Sequence, residues 1–308
     1  MKKSLFTIIA TSAAAVMFLS ACSQDTILEQ PETVNTVTHV SLVAKNISSN
    51  YNVVSVGSNA GTQSFYAYAP MATPNVKAEI SMSRQSLSVS VPSSVNGSQE
   101  DVVAAKALNV YSSSADLDFQ HVLAQVSIEA KTDCAALHID VKSVGIENIY
   151  SEGSYDYTSN SWMLDTESNG GSYYKTVGQT ISTETVELTG DSALLLIPQS
   201  GVSAWTKSSE DKGARIAILC KMKDNSGYQI FPAADDPEND AEGYAKVYVP
   251  LKPNWSAGAS YTYTVVFGDS TSATAVYASS GTSVLEGSGI TFDPTVEGWT
   301  NVGSSTNM

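Results

Sequence analysis

Only three cysteines and three histidines occur in 308 residues. There is no Cys-x-x-Cys and no His-x-x-x-His, so the ligand spacings that hold zinc are absent. His39, His121 and His138 lie far apart, and no histidine follows His138. That excludes the esterase reading of "GDSAL" (Gly190–Leu194), whose serine would need a downstream histidine. No Gly-x-Ser-x-Gly elbow, P-loop or dinucleotide fingerprint is present. Basic residues are also few, 16 against 31 acidic, for a net charge of −15. Such a chain repels nucleic acid and anionic lipid headgroups, and it lacks the Arg and Lys clusters of phosphate chemistry. Helical periodicity is almost missing too. One stretch, "SQEDVVAAKAL", predicts a short helix capped by Ser98 with Asp101 in the capping-box position. Nothing here builds a catalytic constellation, so the chain is read as no enzyme and as needing no cofactor.

What is present is alternation. Leu87, Val89 and Val91 alternate with serines. Val122, Ala124, Val126, Ile128 and Ala130 share one parity, as do Val247, Val249 and Leu251, and Tyr261, Tyr263, Val265 and Phe267. Period two is the signature of half-buried strands. "ALLLIP" (Ala193–Pro198) is a continuous apolar run, which predicts a strand buried on both faces. In "LHIDVKSVGIENI" the apolar parity switches between Val141 and Val144, which predicts a bulge near Lys142–Ser143. Ser, Thr, Gly and Asn fill the gaps as turns require. The fold class is all-β, with two β-sandwich domains in tandem, divided at the polar stretch "YSSSAD" (Tyr111–Asp116).

The N-terminus reads as an address. Lys2 and Lys3 precede a largely apolar run from Leu5 to Leu19, too short for a membrane span, and Ser20-Ala21-Cys22 follows. Leu-Ser-Ala-Cys resembles a bacterial lipobox, in which Cys22 carries the lipid. The expected organisation is a leader over 1–21, a tether over 22–33, and sandwich domains over 34–114 and 115–308. Loss of the leader with its two lysines deepens the net charge to −17. Cys134 and Cys220 either pair or remain two buried thiols. "DDPENDAEG" (Asp235–Gly243) is rich in carboxylates, but Ala241 stands where a calcium loop needs glycine, so a solvated acidic loop is expected.

Six blocks together resemble the fimbrillin family, pilus subunits made as lipoproteins by Gram-negative anaerobes. They are "SFYAYAP" (Ser64–Pro70), "SQEDVVAAKA" (Ser98–Ala107), "LDFQHVLAQVSI" (Leu117–Ile128), "LLLIPQS" (Leu194–Ser200), "WSAGASYTYTVVF" (Trp255–Phe267) and "VEGW" (Val296–Trp299). The resemblance implies transthyretin-like sandwiches, lipid attachment to the outer membrane through Cys22, and assembly by strand exchange. A trypsin-like protease removes the first strand, and an extended C-terminal segment of another subunit fills the groove. On this chain the first strand is "VNTVTHVSLVAK", and Lys45 is the candidate cleavage point. Known members use arginine there, whereas the first arginine here is Arg84; an uncut subunit would instead be an anchor that keeps Cys22. The candidate donor lies at 288–308, with Ile290, Phe292, Val296 and Trp299 as inserting side chains. The alternative is that this segment closes its own domain. Partners implied are other fimbrial subunits and a host or microbial surface ligand. Asp25, Asp191 and Asp269 begin triplets that resemble an O-glycosylation sequon. A second reading is a surface lipoprotein that never polymerises and binds glycans through Tyr155, Tyr157, Trp162, Tyr173 and Tyr174, placed by sequence in loops.

Overall fold

The structure is a computed structural model. It describes residues 6–8, 40–47, 50–57, 61–71, 73–95, 99–190, 193–208, 212–268, 277–278 and 295–299. Among these there are 23 strands, one 3-10 turn and no α-helix. In chain order the strands are β1 Phe6–Ile8, β2 Val40–Lys45, β3 Asn52–Gly57, β4 Gln63–Ala69, β5 Val76–Ile80, β6 Gln85–Ser90, β7 Ser94–Val95 and β8 Val103–Val110. Then come β9 Ser114–Asp118, β10 Gln120–His121, β11 Ala124–Thr132, β12 Leu137–Ile149, β13 Glu152–Asp156, β14 Ser161–Leu164, β15 Gly171–Ile181 and β16 Val186–Glu187. The last are β17 Leu194–Leu196, β18 Arg215–Asp224, β19 Gln229–Phe231, β20 Ala245–Pro250, β21 Ala259–Phe267, β22 Tyr277–Ala278 and β23 Thr295–Gly298.

They form five sheets. Sheet A is β1-β2-β9, and sheet B is β10-β8-β4-β3. Sheet C is β14-β13-β6-β5. Sheet D runs β22-β20-β18-β12-β15-β7, with β19 beside β18, and sheet E runs β16-β11-β21-β23, with β17 beside β11.

Alternation assigns the faces. Val40, Leu42 and Leu117 of sheet A meet Phe65, Ala67, Ala69, Val103 and Ala105 of sheet B in one small core, closed by Phe119. The opposite parity of sheet B, Tyr66 and Ala104, turns to a second and larger core. There Ile139, Val144 and Ile146 of β12, with Ile216 and Ile218 of β18, face Val126 and Ile128 of β11 and Tyr261 and Tyr263 of β21. Sheet D thus packs on sheet E, and sheet C joins them through Leu87, Val89 and Tyr155. The apolar parity read along β11, β20 and β21 is the buried one. The bulge falls where the parity switch predicts: β12 pairs with both β15 and β18 with a register shift between Val141 and Ser143.

Two expectations change. The segment Val103–Val110 is a strand, not a helix. It pairs with β4 on one side and β10 on the other, and Val102, Val103, Ala104 and Ala105 are all buried. Occupancy of both faces by two cores overrides the weak helical preference of its alanines. The boundary at Tyr111–Asp116 does not separate independently paired halves. It falls between β8 and β9, yet β9 pairs with β2, and β10 pairs with β8. Sheet C also mixes the two sides, because β13 pairs with β6. Polarity of a linker marks exposure, whereas the partition of the chain is set by which strands share a ladder.

Sheet D has a steric pin at its centre. Gly145 of β12 lies opposite Tyr174 of β15 and Ala217 of β18. A Cβ there would collide with the Tyr173 carbonyl oxygen and stand 2.5 Å from Tyr174 Cδ1. On the outer face of this sheet, Glu147 accepts hydrogen bonds from Arg215 at 2.5 Å and Lys246 at 2.9 Å, and the Arg215 guanidinium lies 3.8 Å from the Tyr248 ring centroid. Gly145→Ala is expected to destabilise the protein by about 3 kcal/mol, since an overpacked strand centre must shift backbone. Denaturant unfolding checks this; a midpoint equal to wild type would show that β15 yields freely.

Candidate functional site

Of the two chain segments singled out by sequence, one is the middle strand of a small sheet and the other the outermost described strand of a larger one. β2 sits between β1 and β9 in sheet A. It pairs in parallel with β9 over Ser41↔Ser114 to Lys45↔Asp118, and antiparallel with β1 over Val40↔Ile8 to Leu42↔Phe6. Val40 and Leu42 are buried, Leu42 completely. Burying two such side chains contributes roughly 1.5–3 kcal/mol each. Lys45 ends the strand and is exposed, as is Asn46 after it, which takes a left-handed conformation at φ 58°. The Lys45 ammonium lies 2.6 Å from an Asp116 carboxylate oxygen, and that hydrogen bond raises its pKa above the ordinary lysine value. Asn46 donates to Asp118 at 2.5 Å, and the Phe119 N–H donates to the Lys45 carbonyl at 3.2 Å. The residue after β2 is therefore accessible from solvent but tied to β9 by side-chain bonds.

At the other end of the chain, β23 is the edge strand of sheet E. Val296 stands opposite Tyr261, and Glu297 opposite Ser260. Trp299 follows, and its N–H donates to the Gly258 carbonyl at 2.9 Å. Its indole lies flat on the His121 ring, with centroids 3.6 Å apart and planes 7° apart. His121 Nδ1 is 2.8 Å from Asp101 Oδ2, and its Nε2 is buried without a hydrogen-bond partner. An ionised carboxylate only accepts, so Nδ1 carries the proton in that contact. The backbone of Val296 and the Trp299 ring thus lie with sheet E of the same chain. His121, Asp101 and Gly258 are the partners that sequence reasoning missed. The blocks containing them were visible, but their meeting across 178 positions has no local signal.

Cys22, Ile290 and Phe292 lie outside the described residues, as do the three sequon-like aspartates Asp25, Asp191 and Asp269. Cys134 and Cys220 are both free: Cys134 is exposed, whereas Cys220 sits in the sheet D core, where burial pushes its thiol pKa up. The acidic loop binds its own backbone. Asp240 accepts from the N–H groups of Glu242 and Tyr244 and from Lys142 at 2.6 Å, and Asp236 accepts from Glu238 N–H. No group of three potential metal ligands occurs among the described residues.

The aromatic set is corrected. Tyr155 lies in β13, Trp162 in β14, and Tyr173 and Tyr174 in β15, while Tyr157 follows β13. Tyr155, Tyr157 and Tyr173 are buried, and Trp162 and Tyr174 are partly so. The turn-rich composition of "SYDYTSN" belongs to a tight hairpin between β13 and β14, and its tyrosines point into the core. Tyr157 ties sheet C to sheet B: its hydroxyl donates to the Ala67 carbonyl at 2.7 Å, its ring meets Tyr66 edge-on, and Lys106 donates to its own carbonyl. Burial holds its phenol far above the usual tyrosine pKa. Tyr157→Phe is expected to cost about 1 kcal/mol by removing that hydrogen bond, and Tyr157→Ala about 4 kcal/mol by leaving a cavity. Thermal unfolding of both variants measures the split; equal losses would place all the effect in the hydroxyl.

The molecule is all-β, and no helix among the described residues is long and apolar enough to cross a membrane; its packed sheets define the class of β-sandwich proteins. The chain belongs to the fimbrillin-like family, whose model matches residues 33–299. No curated protein matches it. Among solved structures it is similar to three proposed cell adhesion proteins. One from Bacteroides eggerthii is 10% identical over 84% of this chain and 91% of that one, at a TM-score of 0.43. One from Parabacteroides distasonis is 11% identical over 78% and 76%, at 0.43. One from Bacteroides ovatus is 15% identical over 77% and 68%, at 0.40. Family membership makes this a fimbrial or adhesin-like surface protein.

Proposed function

We propose that the chain is a structural fimbrial subunit, exported as a lipoprotein on Cys22 and assembled by protease-triggered strand exchange. The observation that carries this reading is the position of β2. A single break after Lys45 detaches this strand together with everything before it. Its loss would uncover one edge of β9 and the pockets of Val40 and Leu42 beside Phe65 and Leu117. Unpaired backbone groups over an apolar strip are the template that strand addition needs. A donor supplied head to tail by the next subunit makes a heterologous contact that does not close, and hence a fibre. The leader's own Phe6–Ile8 occupies the far edge of β2, so removal of residues 1–21 opens that edge as well. An uncut molecule would stay on the outer membrane through Cys22 as an anchor. The glycan-binding reading loses its stated basis, since the five aromatics form no exposed platform.

The test compares wild type with Lys45→Ala on the cell surface, by electrophoresis in mild detergent without boiling. Wild type is expected to give a ladder of strand-exchanged polymers, and Lys45→Ala a single lipid-bearing band. A ladder unchanged by the substitution would refute processing at Lys45. A single band from both would refute polymerisation.

A further inference from the structure

Three of the sequence blocks that marked the family converge on one notch. "LDFQHVLAQVSI" supplies His121, "WSAGASY" supplies Gly258, and "VEGW" supplies Trp299. Asp101, from a further block, "SQEDVVAAKA", fixes the imidazole through Nδ1. The geometry of the notch suits the flat face of the indole. The His121 side chain is 8% exposed, and its Nε2 has no partner, so the imidazole face rather than a ring nitrogen makes the contact. Gly258 takes φ +68°, and a Cβ there would come within 3.1 Å of the His121 carbonyl oxygen. That keeps the β21 entrance narrow and leaves the Gly258 carbonyl free to receive Trp299 N–H.

We propose that this notch, together with the β21 edge at Ala259–Thr262, is a receptor for the Trp-bearing segment Thr295–Trp299. The chain's own copy fills it in the monomer and thereby restrains donation of the C-terminal segment to a second copy. The inference rests on the strand-exchange reading above. Seating in cis is one-sided among the described residues: β23 pairs there with β21 alone, over four residue pairs, and Trp299 is the single aromatic of Thr295–Trp299. Between β22 and β23 lie residues 279–294. Once released, the segment is available to the groove left by β2 in a second copy. The rate of assembly then depends on how tightly His121 holds Trp299.

Two variants test this without altering the segment's aromatic residue. In a Cys134→Ser background, Ser260→Cys with Glu297→Cys places two thiols at directly paired positions. Oxidation is expected to abolish the surface-extract ladder and reduction to restore it. A ladder that persists when oxidised would overturn the restraint. His121→Ala should speed polymer formation after processing at least threefold; slower or unchanged assembly would overturn it. Hydrogen exchange on the unprocessed monomer tests the seat independently of assembly. Amides at Ala259–Thr262 are expected to exchange at least tenfold faster in His121→Ala, and unchanged exchange would refute the seat. If wild type itself yields no ladder, strand exchange and its restraint both fall, and the exchange result alone decides the seat.

Discussion

The parallel ladder between β2 and β9 is the contact on which the rest of the account depends. Five residue pairs join strands about seventy positions apart, so closing this loop costs entropy that local pairing never incurs. The compensation is apolar. Val40 and Leu42 reach through sheet A to Phe65, Val103 and Phe119, and Leu117 completes the same core from β9. Because β2 continues into the rest of the described fold through Lys45, a cut of one peptide bond there separates it covalently from every described strand that follows. A strand in the middle of sheet D has no such freedom. β12 is held on both sides over its length and pinned by Gly145 against Tyr173.

The chain therefore has a graded construction. The D–E layers carry the large core and the close backbone approaches. Sheet B shares its faces between both cores, and Tyr157 links it to sheet C. β23 pairs at the described margin of sheet E, and β2 belongs to sheet A, a sheet of only three described strands. Segments that leave or exchange are drawn from such margins, where fewest contacts are lost on opening.

Much of the fold was legible because half-buried strands write their faces into the sequence. Val122 to Ala130 and Tyr261 to Phe267 gave their buried parity directly, and the switch at Val141–Val144 located the bulge. The failures have physical causes. Alanines in "VVAAKAL" suit a helix in isolation, but two cores claim opposite faces of that segment. Tyr155 and Tyr157 sit in turn-forming composition, so their burial was hidden by their neighbours. Chain organisation was obscured because β9, β10 and β13 pair backward across a polar linker. At the candidate site, Lys45 and its exposure were accessible from pattern alone. The stack of Trp299 on His121 was not, since only tertiary pairing brings two distant blocks together.

The central claim is that β2 is present before assembly and absent after it. The direct measurement is mass spectrometry of the N-terminal peptide, made separately on monomeric and polymeric fractions of the surface-extracted protein. The account predicts Asn46 as the first residue of the polymer, with acylated Cys22 confined to monomer or to a fibre base. Acylated Cys22 throughout the polymer would contradict it, because β2 would then still fill its place in sheet A.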